Sequence, residues 1–182
     1  MIILIYLIIL IVALAILFWQ GSLIYAQILG APTVYSNGKA IIDALALSQL
    51  KKSETVIDLG CGNAKSLIIA VKRFGAKGIG VERSPFCYLK SRWNVALAGE
   101  SKNIKIIFGD FRKAEEELQN ADVVYLYLLN SVLKSIESWL FDNIKKETRV
   151  VSLAFSFPRR KVIKKSKTRN LGRETVLRLY SK

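Results

Sequence analysis

The stretch Val56 to Ala64, VIDLGCGNA, limits what this chain can fold into more than any other. Thr55-Val56-Ile57 is short, β-branched and followed at once by glycines, which predicts a buried parallel strand. The turn after it lacks bulky side chains. Gly60 and Gly62 admit backbone conformations closed to other residues and let the chain approach a ligand closely. Asn63 to Phe74 reads as a helix whose amino terminus favours polar or anionic groups. Strand, glycine loop and helix in this order form a nucleotide crevice.

The 182 residues have room for one domain of ordinary size and an appendage. The chain has no histidine, and its two cysteines, Cys61 and Cys87, form no Cys-x-x-Cys pair. Residue inventory therefore excludes zinc sites and histidine-based triads, and no metal site is expected. Two unpaired thiols fit a reducing compartment. Chemistry without an imidazole favours a reaction whose cofactor arrives already activated.

The net charge of +14 lies wholly downstream of Gly38, because Met1 to Gly38 carries no charged side chain. Met1 to Trp19 is unbroken apolar sequence, which as a helix spans about 28 Å, close to the thickness of a bilayer's hydrocarbon core. Gly21 to Leu29 prolongs it without a charge. This predicts a single transmembrane helix over residues 1–29, with Trp19 and Tyr25 as interfacial anchors. A cleaved signal peptide would begin with basic residues and have a shorter apolar run. A buried core helix would show a polar face. Positive charge follows the helix rather than preceding it, which places the remaining chain in the cytoplasm.

Residues 30–54 read as a linker, marked by Pro32, Ser36 and Asn37, and a packing helix with apolar residues at helical spacing between Lys39 and Leu50. Residues 55–182 read as the catalytic domain, in which short β-branched runs alternate with helical patterns. The runs are Thr55 to Ile57, Gly78 to Glu82, Asn103 to Phe108, Asp122 to Leu128, Arg149 to Phe155 and Glu174 to Tyr180. Ser84 and Pro85 are a cap and first turn for a helix ending near Gly99. The alternation predicts an α/β fold, Rossmann-like and doubly wound, with a mostly parallel sheet of about seven strands.

Ligands of such sheets bind outside the carboxyl ends of the strands. Those ends deliver Asp58 with its glycine loop, Glu82 and Asp110. Glu82 lies 20 residues beyond Gly62, where a carboxylate can accept hydrogen bonds from both hydroxyls of a ribose. A dinucleotide fingerprint wants Gly or Ala three places after its second Gly; this chain has Lys65 there, and its small residue is Ala64.

With Asp58, Gly60, Gly62, Ala64, Glu82 and Gly109-Asp110-Phe111 in these places, the chain resembles the class I S-adenosylmethionine-dependent methyltransferases from about Lys39 to Tyr180. Ala64 stands where that family more often has glycine. The resemblance implies S-adenosylmethionine as cofactor, held by Asp58, Gly60, Cys61, Gly62, Glu82, Arg83, Asp110 and Phe111. The loop would wrap the methionine part, Glu82 the ribose, and Asp110 the adenine amino group. The apolar amino-terminal helix, Pro32-Thr33, GVERSP, GDF and Phe155 to Pro158 further resemble the membrane-anchored protein-lysine methyltransferases, whose mitochondrial members modify the adenine nucleotide translocase and the c-subunit of ATP synthase. The implied partner is a membrane-protein substrate.

Methyl transfer needs alignment and exclusion of water rather than a strong base. Tyr127 and Asn130, after the fourth strand, are the candidate catalytic residues. Tyr125, Phe155 and Phe157 are further candidates for an aromatic channel, with core packing as their alternative role. Asn130 has helix capping as its alternative. Base-amino methyltransferases resemble one another in an Asn or Asp followed by Pro-Pro and an aromatic; Asn130-Ser131-Val132 departs from that. The basic stretch from Arg159 to Arg169 suits anionic lipid headgroups beside a membrane anchor, with RNA phosphates or plain solvent as alternatives. An anchored RNA or small-molecule methyltransferase, or a catalytically silent scaffold, are the rival functions.

Overall fold

The computed structural model describes residues 1–28 and 36–182. Pro32-Thr33 and the side chain of Tyr25 lie outside the described residues. Helix α1 (Ile2–Ile28) has no polar face, and its large apolar side chains from Met1 to Trp19 are all exposed to solvent. Among the described residues, nothing packs along it until Ser22.

Helix α2 (Gly38–Leu47) starts where Asn37 accepts the Ala40 amide at 2.8 Å, and it buries Ala40, Ile41, Ala44 and Leu45 as one stripe. The alternating region follows: β1 (Thr55–Leu59), α3 (Lys65–Phe74), β2 (Lys77–Glu82), α4 (Pro85–Leu97) and β3 (Ile104–Phe108). After a short 3-10 turn (Phe111–Ala114) come α5 (Glu115–Gln119), β4 (Val123–Leu126), α6 (Asn130–Asn143), β5 (Arg149–Leu153), β6 (Lys164–Asn170) and β7 (Arg173–Ser181). Ser84 caps α4 with Pro85 at its first position, as its sequence predicts.

The sheet has seven strands in the order β3-β2-β1-β4-β5-β7-β6. The first five are parallel, and β7 and β6 run antiparallel to their neighbours. One apolar layer joins Val56, Val123 and Val151 to α2 and α3; the other joins Ile57, Val124 and Val150 to α5 and α6. The strand that the sequence conceals is β6. Its run KKSKTRN has poor strand propensity, but it is the sheet's edge, where lysines deter pairing with other chains. The basic stretch Arg159 to Arg169 is therefore a loop followed by most of a strand. Two of its charges have partners inside the molecule. Lys167 pairs with Glu174 at 2.8 Å, and Arg160 lies over the Phe141 ring and 3.8 Å from Glu137.

Gly80, in β2, lets the β1 loop and α3 close onto the sheet. A Cβ there would lie 2.6 Å from Cys61 Sγ, 2.8 Å from Leu67 Cδ1 and 2.9 Å from Ile106 Cδ1. Gly80→Ala should therefore cost about 1–3 kcal/mol of stability, measured by urea unfolding. An unchanged midpoint would mean that this layer yields more easily than its packing indicates.

Candidate active site

A cavity of about 360 Å³ opens at the carboxyl ends of β1, β2 and β4. It sits where the strand order reverses between β1 and β4, the position at which open α/β sheets bind ligands.

Its floor is the loop after β1. Gly60 (φ 89°) and Gly62 (φ 55°) both adopt left-handed backbone, and so does Ala64 (φ 61°), a fully buried alanine in a conformation that favours glycine. The Gly60 and Cys61 amides both donate to the Val81 carbonyl, folding the loop over the end of β2. A side chain at Gly60 would crowd Leu128 at 3.1 Å. Cys61 lines the cavity, but burial, and then the charges of Asp58 and Glu82, push its thiol up, so it stays protonated and unreactive.

Two carboxylates form the polar wall. Glu82 is buried and accepts the Gly62 amide at 2.9 Å and the Ser84 amide at 2.8 Å, one on each oxygen. Burial raises its pKa, while these amides, and the charge of Arg83, oppose the rise. With the Arg83 amide as a third donor, the carboxylate keeps acceptor capacity for a ligand hydroxyl. Asp58 accepts a hydrogen bond from Ser66 on α3. Burial, with a smaller contribution from the charge of Glu82, raises it to about 7 against the pull of Ser66.

Asp58 and Tyr125 are register partners on adjacent parallel strands, so their side chains share a face. Tyr125 is a buried cavity-lining residue whose hydroxyl has, among the described residues, no hydrogen-bond partner in good geometry; Ser36 is the polar group that faces it. A buried hydroxyl left this way wants a ligand atom. Burial raises its pKa, so it is a donor and not a phenolate. Tyr127 also lines the cavity, stacks on Phe155 at 6.0 Å between ring centroids, and accepts a hydrogen bond from Asn170 at 3.0 Å.

Of the residues the sequence singles out, Asp58, Gly60, Cys61, Gly62, Glu82, Arg83, Phe111 and Tyr127 come together around this cavity, with Tyr125. Asp110 and Asn130 do not reach its wall. Asp110 caps the 3-10 turn by accepting the Arg112 amide and lies 3.7 Å from that guanidinium, while its neighbours Gly109 and Phe111 line the cavity. Asn130 occupies the first turn of α6, and its side-chain oxygen accepts the Ser156 amide, tying α6 to the loop after β5. Phe157 packs edge-on against Phe141 and Tyr180 in the core, the second of its two expected roles.

Sequence reasoning missed Ser36, Asn37, Ile41, Ser66, Leu128, Asn170 and Leu171. Leu171 and Gly172 form the two-residue turn between β6 and β7, both with positive φ. The signal was present as Asn170-Leu171-Gly172, a tight-turn composition at the end of the basic run.

Two buried carboxylates, an unpartnered tyrosine hydroxyl and a glycine cradle suit a cationic ligand that carries a diol and a flat apolar part, as S-adenosylmethionine does. Asp58 would face its positive methionine end, and Glu82 its ribose.

The comparisons with known proteins agree. Residues 58–164 match the family model of the ANTKMT methyltransferase domain. A protein-lysine N-methyltransferase of Saccharolobus islandicus is 30% identical over 125 residues, 68% of this chain and 76% of that protein. The ribosomal protein L11 methyltransferase of Escherichia coli is 33% identical over 95 residues, 52% of this chain but only 30% of that enzyme. The crystal structure of an RNA methyltransferase from Salinibacter ruber, in complex with S-adenosyl-L-homocysteine, superposes with a TM-score of 0.74 at 28% identity, covering 81% of this chain and 93% of that one. Since the family model covers more than half of the chain and includes Asp58, Glu82 and Tyr127, the chain belongs to the ANTKMT methyltransferase domain family and is a class I S-adenosylmethionine-dependent methyltransferase.

Proposed function

We propose that this enzyme methylates the side-chain amine of a lysine on a membrane protein. The observation that carries the reading is the junction between the apolar helix and the site. Ser22 Oγ on α1 lies 2.8 Å from Ser84 Oγ, and Ser84 in turn donates its amide to Glu82. Residues Ile2–Ser22 are long and apolar enough to cross a bilayer. If they do so, the cavity is held at the membrane surface, on the cytoplasmic side by the charge asymmetry of the sequence. The lysine substrate of the Saccharolobus islandicus relative supports the choice of nucleophile.

When bound, S-adenosylmethionine supplies a methyl group already activated by its sulfonium. The chain's own residues then align and dehydrate the reactants. Asp58 and Glu82 hold the donor, with Arg83 and Phe111 on the same wall. Tyr125 and Tyr127 line the space left for the amine, where low polarity favours loss of the ammonium proton to solvent before attack. Asn170 fixes the Tyr127 ring. Asn130 is assigned to positioning the loop after β5 through its bond to Ser156.

A second reading, methylation of RNA by the anchored enzyme, is favoured by the Salinibacter ruber structure and the net charge of +14. Incubating membranes and total RNA with enzyme and methyl-tritiated donor separates the two. Label in a membrane-protein band, on lysine after hydrolysis, is expected; label confined to RNA would replace this reading with the second.

Glu82→Gln should weaken donor binding roughly 10–100-fold, the loss of a charged hydrogen-bonding group, as measured by calorimetry. Donor affinity should also climb as pH rises through about 7, because Asp58 becomes a carboxylate there. S-adenosylhomocysteine, which lacks the charged sulfur, should respond less. For stability the sign reverses. With a folded pKa above the ordinary 3.8, Asp58 lowers the stability of the ligand-free protein progressively from pH 3.8 to about 7, because over that range the unfolded carboxyl ionises while the folded one stays protonated. Asp58→Asn should therefore raise the melting temperature near pH ~8 and leave it unchanged near pH ~4. Equal effects at both would show that Asp58 ionises normally.

A further inference from the structure

Helix α4 presents two opposite apolar faces. Cys87, Ser91 and Val95 face the sheet and are buried. Leu89, Trp93 and Leu97 repeat at the same spacing of four, displaced by two residues, which is about 200° around the helix. They are 55%, 67% and 72% exposed. Among the described residues, six large apolar side chains downstream of α1 are exposed, and three of them form this one stripe. The other long helices do not behave this way. The exposed positions of α6 are Asn130, Ser131, Lys134, Ser135, Ser138 and Asp142, and those of α3 are Lys65, Lys72 and Arg73. Phe108, half-exposed, packs at a tilt against Tyr88, 5.1 Å between ring centroids, and widens the patch.

The position of the stripe says what covers it. Residues Ile2–Ser22 span about 31 Å as a helix, the thickness of a hydrocarbon core, so the span ends near Ser22. Ser22 is 5% exposed, hydrogen-bonds Ser84 at the cap of α4, and accepts the Phe86 amide at 3.1 Å. Helix α4 thus starts where α1 leaves the apolar layer. Its exposed Lys90 and Arg92 are its only charged residues. Leu, Trp and flanking cations are the composition of a helix lying in the headgroup region, each cation near an anionic surface contributing about 1 kcal/mol.

We propose that the outer face of α4 (Leu89, Trp93, Leu97, with Lys90 and Arg92) is a second membrane contact, lying in the bilayer interface and fixing how the domain sits on its anchor. This rests on the reading of α1 as a membrane span. Two contacts define an orientation where one leaves rotation about the α1 junction free. With α4 in the interface, the cavity beside its amino terminus is set at headgroup depth.

The test uses the full chain in vesicles that contain anionic lipid and lipids brominated near the headgroup end of their chains. Two single-tryptophan proteins are compared: one keeping Trp93 (Trp19→Phe, Trp139→Phe), the other keeping Trp19 (Trp93→Phe, Trp139→Phe). Trp93 emission should shift to shorter wavelength and lose most of its intensity to the brominated lipid, as should that of Trp19. Adding Leu89→Gln and Leu97→Gln to the Trp93 protein should restore much of the lost emission while leaving donor affinity unchanged. Quenching of Trp19 without quenching of Trp93 overturns the proposal and leaves the anchor intact. Absence of both overturns the anchor, and the proposal with it. An unquenched Trp93 in a protein that cross-links as a dimer would assign the stripe to a second copy of the chain.

Discussion

Burying the Glu82 carboxylate is expensive unless hydrogen-bond donors surround it, and the amides of Gly62 and Ser84, with that of Arg83 beside them, do so from different parts of the chain. Gly62 brings the loop after β1; Ser84 brings the start of α4. One charge therefore fixes the floor of the cavity against its side. Through Ser84 the same network extends to Ser22, so helix α1 and the donor site share a short chain of polar contacts. The left-handed turns at Gly60, Gly62 and Ala64 serve this arrangement, because only a loop folded that sharply presents its amides to the end of β2. Ala64 in that conformation holds about 1–2 kcal/mol of strain that a glycine would not.

The opposite wall follows from sheet geometry. Parallel pairing of β1 with β4 puts Asp58 beside Tyr125, and Tyr127, just beyond the end of β4, lines the same cavity. Asp58 and Tyr125 are buried, and Tyr127, held by Asn170 and stacked on Phe155, is the most exposed of the three. Such a wall offers a carboxyl group and two phenol hydroxyls to a ligand in one cavity.

What the sequence makes legible is what is local. The glycine loop, the acid 20 residues beyond Gly62 and the Ser84-Pro85 cap each depend on a few neighbouring residues, and each lies where its chemistry predicts. The side-chain direction of Asp110 was not legible, because it depends on competition from the Arg112 amide and guanidinium. Asn130 was hidden in the same way, since its partner Ser156 is 26 residues distant. The strand β6 escaped notice because edge strands are selected for charge rather than for strand propensity. Ser36, Asn37 and Leu171 reach the cavity from opposite ends of the sequence, and no local pattern brings those ends together.

The hairpin of β6 and β7 has a consequence for the order in which the protein becomes functional. Asn170 accepts the Asn37 amide and donates to Tyr127, and Thr168 donates to Asp43 on α2, so this hairpin joins the first soluble segment to the cavity wall. It is also made by the ribosome after the rest of that wall. A nascent chain thus emerges with α2 and the glycine loop already made and with its donor pocket unfinished. Only when the residues around Leu171 have left the exit tunnel can the pocket close, so a chain truncated before them would lack part of its donor site.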